Sequence, residues 1–382
     1  MRLRSMFAQN YRSLRSIRMD LADTTLFLGE NGVGKSNLYR ALQLVQAAVR
    51  GRLAHELAAE GGMLSALWSG TRRKSDGPAR IRLEVEILDE ERAVTFRYHV
   101  EAGLRPPTAA AGFPLEPQVK AEELTVETGR RAVTMMKRSG PGIFVRDGDG
   151  RMQEHPEEAL TSETAIALLG DAGNFPEVAA FRRIVSNWRF FHGFRTDRAS
   201  PLRHPCLAVT GPMLDEDGAN LAAVFATLVH TRQDTVELDR ILGSALGGAQ
   251  LVVPEPGETA EFGLKLPDFP HRIFQPRELS DGQIRFLGLA AALLSYRLPP
   301  LIALNEPEAS LHPDMLGPLA DMIAEASKTS QVWIVTHSAQ LAEAVRERCG
   351  LRPRKVIREN GATWIEGMRL TGVISGEEDD DD

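Results

Sequence analysis

Cysteine and long apolar runs are scarce in this sequence of 382 residues. Its two cysteines, Cys206 and Cys349, are too few for a disulfide framework or a four-cysteine zinc site. No uninterrupted apolar stretch reaches the roughly 18–20 residues that a helix needs to span a bilayer. The first residues, MRLRSMFAQNYRS, lack the apolar core of a secretion signal. These absences predict a soluble protein of the reducing cytoplasm that has no membrane partner.

The sequence also has little excess of one sign of charge. The chain has 52 acidic and 45 basic residues, a formal net charge of -7, and the run Glu377–Asp382 supplies most of that excess. We predict that residues 371–382 form a disordered acidic tail, and the alternative is a docking tail. The near-neutral remainder neither requires nor excludes a nucleic-acid partner.

Strand and helix patterns alternate at both ends of the chain, around a mixed middle. The spacing of apolar residues predicts a helix from Ser36 to Val49, and strict alternation predicts a hairpin of Ile81–Leu88 with Val94–Val100. Further helices are predicted over 176–188, 219–231, 235–246, 284–294, 314–326 and 339–346, and further strands over 262–266, 301–304, 332–335, 355–358 and 363–367. This order predicts one α/β sheet built from the two ends of the chain.

The strongest motif is the glycine-rich loop Gly29–Ser36, GENGVGKS. It fits the phosphate-binding pattern G-x-x-x-x-G-K-S/T at every fixed position, between an apolar run at Thr24–Leu28 and an amphipathic helix. Glycines allow backbone N–H groups to wrap phosphates, and the helix N-terminus adds the positive end of its dipole. Lys35 is predicted to reach the β- and γ-phosphates of ATP, and the Ser36 hydroxyl to hold Mg²⁺.

A second motif follows the apolar run Leu301–Leu304, which delivers Asn305 and Glu306 to the end of a predicted strand. Sheets of α/β proteins place their ligands at this end. In P-loop NTPases this strand carries a carboxylate that supports Mg²⁺, often followed by a glutamate that polarises the attacking water. Glu306 fits the second role. Asn305 brings an oxygen that can hold a metal-bound water but no negative charge, which predicts weaker Mg²⁺ binding and slow turnover.

A third motif, LSDGQ at 279–283, precedes that strand by about 20 residues. Ser280 and the Gly282 N–H are predicted to open a helix, an arrangement that binds anions. The segment resembles the ABC signature LSGGQ, with Asp281 in place of one glycine. In that superfamily the signature serine and glycine of one subunit close over the γ-phosphate held by another. The resemblance therefore implies a head-to-tail homodimer with two ATP molecules sandwiched between subunits.

A fourth motif is VTHS at 335–338, directly after a predicted strand. Its histidine, His337, matches the position of the ABC switch histidine, which contacts the γ-phosphate. Between the second and fourth motifs, Glu308–Pro313 resembles the D-loop region that lies along the dimer interface.

Together these motifs resemble the ABC-type ATPase heads of the SMC and RecF group, and among them the RecF-like and OLD-like bacterial AAA family ATPases. The opening FAQNYRSL, Phe7–Leu14, resembles the NFRSL start of that group, and Gly29–Asn37 resembles its GxNGxGKSN loop. Asn305–Pro313 resembles its E/D-E-P-E…LHP segment. The resemblance extends over residues 1–50 and 275–345.

The resemblance implies an α/β P-loop NTPase fold, an ABC-type ATPase head with an inserted mixed α+β and helical lobe and no long coiled coil. The predicted ranges are 1–105 for the N-terminal part of the ATPase lobe, 106–275 for the inserted strands and helical lobe, 276–370 for the C-terminal part, and 371–382 for the tail.

The predicted site follows from the same motifs. The predicted catalytic residues are Glu306, His337 and Lys35. The predicted nucleotide ligands are Gly29, Asn31, Gly32, Gly34, Lys35, Ser36, Asn37, Arg12, Ser280 and Gly282. The predicted Mg²⁺ ligands are Ser36 and Asn305.

Three functions remain open. The first is an ATPase whose closed dimer clamps DNA in repair, recombination or phage defence, with support from basic stretches at 2–18, 72–74 and 189–203. The second is a nucleotide switch for an effector protein on a separate chain, without DNA contact. The third is a binding-only head, because of Asn305 and Asp281. A transporter ATPase is not among them. The interval of about 245 residues between Lys35 and Ser280 is much longer than the corresponding interval in transporter ATPases.

Overall fold

The computed structural model describes residues 1–71, 78–104, 113–156, 159–169, 174–233, 235–368 and 372–374. The predicted acidic run 377–382 lies outside the described residues, as do the basic stretch 72–74 and most of the Pro- and Ala-rich segment that begins at 105.

The described chain contains both strands and helices. The strands are β1 Arg2–Tyr11, β2 Leu14–Asp20, β3 Thr24–Leu28, β4 Arg80–Asp89, β5 Val94–Gly103, β6 Gln118–Thr128, β7 Arg131–Ser139, β8 Gly142–Arg146, β9 Met152–Glu154, β10 Arg189–His192, β11 Cys206–Leu207, β12 Gln250–Val252, β13 Thr259–Ala260, β14 Gly263–Lys265, β15 Ile273–Phe274, β16 Leu301–Asn305, β17 Gln331–Thr336, β18 Arg354–Glu359, β19 Ala362–Ile365 and β20 Val373–Ile374. The helices are α1 Lys35–Val49, α2 Leu53–Ala59, α3 Gly62–Ala66, α4 Ala165–Leu168, α5 Pro176–Ser186, α6 Leu221–Ala226, α7 Val236–Ala245, α8 Asp281–Leu294, α9 Leu316–Ser327 and α10 Ala339–Cys349.

The chain divides into two compact units. The first unit comprises Met1–Ala22, Gly29–Trp188 and the chain from Lys355 onward, and the second comprises Asp23–Leu28 and Arg189–Arg354. These borders differ from the ranges predicted from the motifs, 1–105, 106–275 and 276–370. Those ranges divide the chain into two parts of an ATPase lobe and an inserted lobe, and that division stays a prediction.

The first unit is built on a mainly antiparallel sheet with the strand order β20-β2-β1-β4-β5-β6-β7-β8-β9. Its strands alternate between buried apolar and outward polar residues. In β4, for example, Leu83 and Val85 are buried whereas Arg82 and Glu84 face outward. Helices α1, α4 and α5 pack against this sheet. The predicted hairpin of β4 and β5 is confirmed.

The second unit contains a parallel sheet with the strand order β10-β16-β17-β3. Every residue of β16 and β17 is buried, as parallel strands covered on both faces require. The register sets Asn305 beside both His192 and Val335, and Thr336 beside Leu28. The carboxyl ends of all four strands therefore meet at one edge.

The prediction of one sheet from both chain ends is confirmed for β3, β16 and β17. Strands β1 and β2 lie outside this sheet, because they pair with each other and β1 pairs with β4 in the antiparallel sheet. The reason is their alternation, because a strand with one polar face cannot be buried on both sides. The four-residue strand β10 was not predicted, because it is too short to show a period.

The core of the second unit is formed by α6–α10 around the parallel sheet. The helix predicted over 219–231 begins at Leu221 and continues as a π-helix, Thr227–Arg232. The helix predicted over 314–326 begins with a 3₁₀ turn, Pro313–Met315, before α9. Among the described helices, none is both long enough and apolar enough to cross a membrane.

Candidate nucleotide site

The backbone of the glycine-rich loop is shaped by two glycines in left-handed conformation, Gly32 with φ 82° and Gly34 with φ 100°. Gly34 immediately precedes α1, which begins at Lys35. A Cβ atom at Gly34 would lie 1.9 Å from Thr363 Oγ1 and 2.4 Å from Ser13 Oγ, so no other residue fits there. Successive N–H groups in such a turn form a concave anion site at a helix N-terminus. The loop therefore fits the phosphates of a nucleotide.

The side chain of Lys35 lies across this loop. Its Nζ donates to the carbonyl oxygens of Gly29 at 2.7 Å and Glu30 at 2.6 Å, and the residue is only 3% exposed. Ser36 follows it at the exposed start of α1. A buried ammonium beside an exposed hydroxyl suits a phosphate chain with its metal ion.

A chain of hydrogen bonds supports the loop from one side. Asn37 Nδ2 donates to Ser13 Oγ at 2.7 Å, Ser13 Oγ lies 2.6 Å from Thr363 Oγ1, and Thr363 Oγ1 donates to the Val33 carbonyl at 2.9 Å. Ser13 and Thr363 were not among the predicted site residues. No local pattern marks them, because the contact joins positions 350 residues apart.

Arg12 belongs to the same unit and adopts a left-handed φ of 49°. Its Nη2 lies 2.9 Å from Glu60 Oε2, and the Tyr11 hydroxyl donates to the same oxygen at 2.8 Å. The Glu60 side chain is only 7% exposed. Arg12 thus has a fixed carboxylate partner, and its predicted contact with the nucleotide stays a prediction.

In the second unit, Asn305 and Glu306 lie at the carboxyl edge of the parallel sheet. Asn305 Nδ2 donates to His192 Nδ1 at 2.5 Å, and its buried Oδ1 has no hydrogen-bond partner among the described residues. Glu306 has a left-handed φ of 49°, and its N–H donates to the Val335 carbonyl at 2.7 Å. Such strain in a non-glycine residue persists where the surroundings fix it and clusters at functional sites.

His337 stands next to this turn, between two carboxylates. Its Nδ1 lies 3.8 Å from Glu306 Oε1 and 3.2 Å from Glu308 Oε1. The buried Glu308 also accepts from the Thr336 hydroxyl at 2.5 Å and from the His337 N–H at 3.1 Å. Glu308 therefore orients the histidine, a role that its sequence position alone did not predict.

Helix α8 reaches the same turn through Arg285. Its Nη2 donates to the Glu306 carbonyl at 3.2 Å. Burial lowers the pKa of the Arg285 guanidinium, and the charges of Glu308 and Glu306 oppose that effect. The Arg285 guanidinium therefore links helix α8, which begins at the signature segment, to the Glu306 turn.

The signature segment forms a capping box at the start of α8. Ser280 Oγ accepts from the Gln283 N–H at 3.3 Å, and Gln283 Oε1 accepts from the Ser280 N–H at 2.9 Å. A Cβ atom at Gly282 would lie 3.0 Å from the Ser310 carbonyl oxygen. The predicted helix start at this motif is confirmed.

The same segment is held by Arg203, which the sequence did not single out for this role. Its Nη1 donates to the carbonyl oxygens of Pro276 at 2.8 Å and Leu279 at 2.7 Å. Its Nη2 donates to Asp281 Oδ1 at 2.7 Å, and its Nε to the Thr196 carbonyl at 2.7 Å. Asp281, the departure from the glycine of the signature, is thus the anchor of a buried arginine.

Among the residues that the structure describes, no group of three or more His, Cys, Asp or Glu side chains is arranged to hold a metal ion. The predicted Mg²⁺ ligands, Ser36 and Asn305, offer uncharged oxygen atoms. Mg²⁺ commonly keeps several waters and takes most of its remaining ligands from substrate phosphates. The orphaned Asn305 Oδ1 suits a metal-bound water, and the exposed Ser36 hydroxyl is by itself an oxygen ligand of the kind that Mg²⁺ accepts.

Two family models match the two ends of the chain. One, described as "AAA ATPase domain", matches residues 1–53, and the other, described as "AAA domain, putative AbiEii toxin, Type IV TA system", matches residues 267–343. The range 1–53 contains the glycine-rich loop. The range 267–343 contains the signature segment and the motifs with Glu306 and His337.

Curated relatives match over stretches of 87 and 90 residues. The L-cystine import ATP-binding protein TcyN of Bacillus subtilis is 33% identical over 87 residues, which are 22% of this chain and 33% of that protein. The chain spans about a third of the length of the curated relatives that it matches.

Solved structures match nearly the whole chain. An SMC head bound to the C-winged helix domain of ScpA aligns with a TM-score of 0.52 and 14% identity, over 96% of this chain and 97% of that one. An SMC head with an extended coiled coil, bound to the C-terminal domain of ScpA and derived from Pyrococcus furiosus, aligns with a TM-score of 0.51 and 13% identity, over 95% of each chain.

The fold is therefore the mixed α/β fold of SMC-type P-loop ATPase heads, without a long coiled coil in the described part of the chain. The two family models that match the ends of the chain are those of AAA domains, and the curated relatives that it matches are ATP-binding proteins.

Proposed function

We propose that this chain is a cytoplasmic ATPase head of the RecF-like type, which binds and hydrolyses ATP and forms a head-to-tail homodimer when ATP is bound. The observation that carries the proposal is the Glu306 turn. A glutamate in a left-handed conformation follows a buried parallel strand, with His337 Nδ1 3.8 Å from its carboxylate.

The predicted phosphate, metal and catalytic residues have separate roles in this proposal. The glycine-rich loop and Lys35 bind the phosphates, and Ser36 and Asn305 hold Mg²⁺, which when bound neutralises phosphate charge. Glu306 accepts a proton from the attacking water, and His337 contacts the γ-phosphate. Glu308 keeps the histidine in place.

The signature segment acts on the nucleotide of the other subunit. Ser280 and Gly282 open helix α8, and their polar groups add an anion-binding helix N-terminus to the γ-phosphate of the partner. ATP then closes the dimer, the closed dimer clamps DNA, and hydrolysis reopens it.

A second candidate is an ATP-driven switch for a partner protein, and the pairing of the basic residues favours it. Arg12 is paired with Glu60, Arg18 with Glu84, and Arg195 with Asp197. Arg203 is buried under the signature segment. Cations that already have carboxylate partners contribute less to phosphate binding, since DNA must displace those partners.

A third candidate is a head that binds ATP without turnover. Asn305 supports it, because an amide adds no negative charge for Mg²⁺. The presence of Lys35, Glu306 and His337 in one chain supports hydrolysis instead.

The test is steady-state ATP hydrolysis by the pure protein with Mg²⁺, with and without duplex DNA, and with Glu306→Gln as the blank. Removal of a general base lowers kcat by about 10²–10⁴-fold, and Glu306→Gln keeps the shape of the side chain. We expect turnover in the wild type, its loss in the variant and retained ATP binding in both.

The outcomes separate the candidates. Turnover that rises with DNA, together with a DNA affinity that falls steeply with salt, supports the clamp. Turnover that is indifferent to DNA supports the partner switch. ATP-driven dimerisation without turnover supports the binding-only head, and equal turnover in wild type and Glu306→Gln contradicts the assignment of the base.

A further inference from the structure

We propose that Ser13 and Thr363 are positioning residues of the glycine-rich loop, which fix its backbone in the phosphate-binding shape before ATP arrives. The inference rests on the proposed binding of ATP at this loop and adds two residues to the predicted site. Neither hydroxyl needs to touch the nucleotide.

The direction of the hydrogen-bond chain is determined by its two ends. Asn37 Nδ2 can only donate, and the Val33 carbonyl can only accept. Ser13 Oγ therefore accepts from Asn37 and donates to Thr363 Oγ1, and Thr363 donates to Val33. All protons in the chain point toward the loop, so the removal of either hydroxyl breaks the connection between Asn37 and the Val33 carbonyl.

Thr363 is fixed by its own surroundings. It is 2% exposed, and its N–H donates to the Ser13 carbonyl at 2.8 Å. It lies on β19, whose hairpin with β18 turns at Asn360 and Gly361, with φ 48° and 81°. Two successive positive φ values are the pattern of a tight two-residue hairpin turn. The threonine thus contacts the loop from a rigid element.

The hairpin also contacts the first residue of the loop. A Cβ atom at Gly29 would lie 2.5 Å from the Val356 carbonyl oxygen on β18. The loop therefore rests on β18 at Gly29 and on β19 at Gly34, and glycine is required at both points.

The geometry of one peptide explains why this support matters. The Val33 carbonyl and the Gly34 N–H belong to the same planar trans peptide and point in opposite directions. Since Thr363 holds the carbonyl, it directs the Gly34 N–H away from the Thr363 hydroxyl and keeps it free of that hairpin. A donor that is already oriented costs less conformational entropy when phosphate binds.

The experiment measures ATP affinity by calorimetry, with Mg²⁺, on the full chain. Thr363→Val removes the hydroxyl and keeps the branched shape, and Ser13→Ala removes the other one. We expect ATP Kd to rise about fivefold to tenfold in each, the size of one net hydrogen bond. Because both act through one chain, the double variant is expected to bind about as weakly as either single variant.

Three variants serve as controls. Thr363→Ser keeps the hydroxyl and is expected to restore affinity. Thr125→Val removes a threonine hydroxyl from β6 of the same unit and is expected to leave Kd unchanged. Lys35→Ala shows that the measured binding occurs at the loop.

A positioning role also predicts a split in the kinetics. Thr363→Val is expected to raise KM for ATP and leave kcat within about twofold, because the hydrolytic residues are intact. A lower melting temperature with unchanged Kd and KM overturns the inference in favour of a purely structural role. Wild-type binding that survives Lys35→Ala overturns the proposed function itself, which is a different result.

Discussion

Charged residues occupy different places in the two main sheets. On the outward face of the antiparallel sheet, charges neutralise one another across strands, as Arg18 does with Glu84 and Arg97 with Glu86 and Glu127. In β16 and β17 of the parallel sheet, apolar residues fill the interior of each strand and polar groups gather where the strands end. There a strained glutamate and a histidine stand 3.8 Å apart.

The comparison teaches where chemistry is expected in this molecule. Cross-strand ion pairs at a half-exposed surface contribute little to stability and leave little net field. Polar groups at the end of fully buried strands are few, held by the sheet and directed to one edge. Substitutions of charge at the Glu306 turn are therefore expected to alter turnover, and those on the outward face of the antiparallel sheet only stability.

The largest expected effect concerns burial. Both Trp333 and Ile334 in β17 are buried, although they point to opposite faces, so alanine at either is expected to cost about 2–5 kcal/mol of unfolding free energy. In β4 only one of two neighbours is buried. Leu83→Ala is expected to cost a similar amount, and Arg82→Ala less than about 1 kcal/mol. Urea unfolding of the four variants measures the difference.

Arg203→Ala is expected to have the next largest effect, on turnover. It removes charge-assisted bonds to Asp281 and to the Leu279 carbonyl, which hold the signature segment. Such bonds contribute about 1.5–3 kcal/mol each, so we expect kcat to fall tenfold or more. ATP affinity of the loop, which belongs to the other unit, is expected to stay unchanged.

Asp281→Asn is the matched variant for this arginine, because it keeps an acceptor oxygen and removes the charge. Its effect on kcat is expected to be smaller than that of Arg203→Ala. If Arg203→Ala weakened ATP binding as much as it lowered kcat, the role assigned to the signature segment would be wrong.

At the edge of the parallel sheet, Asn305→Asp is expected to lower the Mg²⁺ concentration for half-maximal hydrolysis severalfold, since ligand charge tightens cation binding. Asn305→Leu removes the acceptor at nearly the same size and is expected to raise that concentration. A Mg²⁺ titration at saturating ATP measures both. A common shift of both variants in one direction would contradict the assignment of Asn305 to the metal.

The smallest effect is expected on the antiparallel face, at His99. Burial lowers the pKa of His99, but the carboxylates of Glu101 and Glu84 outweigh it and raise the pKa to about 9. The bond from His99 in turn holds the pKa of Glu101 at about 2. Because the pKa of His99 is raised on folding, its contribution is full below pH 6.5 and is lost as pH rises through about 9.

His99→Gln tests this pair. We expect the wild type to exceed the variant by about 1 kcal/mol near pH 6 and to match it above pH 9. ATP turnover is expected to be the same in both. A gap in stability that persisted at pH 10 would mean that packing, not charge, accounts for the effect of His99.

The sequence alone predicted the parts of the fold that repeat a local rule. The glycine-rich loop, helix α1 and the apolar strands β16 and β17 each carry their own pattern, and each lies where it was predicted. Local alternation likewise predicted β4 and β5. The pairing of β1 with β4 shows the limit, since a local pattern reveals a strand but not its neighbours.

The site could be predicted only where a motif marks it. Nothing near Thr363 in the sequence indicates a function, and Arg203 was interpreted only as part of a basic stretch, because their partners lie at Val33 and at Asp281. Asp281 was interpreted as a departure that weakens the signature. In the structure Asp281 accepts a hydrogen bond from Arg203. This role could not be predicted from the sequence, because it depends on a tertiary contact.

The pairing of β3 with β17 also has a consequence for synthesis of the chain. Strand β3 is made first, but its partner residues 332–336 follow about 300 residues later. At about 5–20 residues per second, the ribosome needs roughly 15–60 s to deliver them. During that interval the apolar residues 24–28 have no sheet to join. A nascent chain therefore completes the parallel sheet only after residue 336 has been made, and release before that point would leave a polypeptide that depends on chaperones.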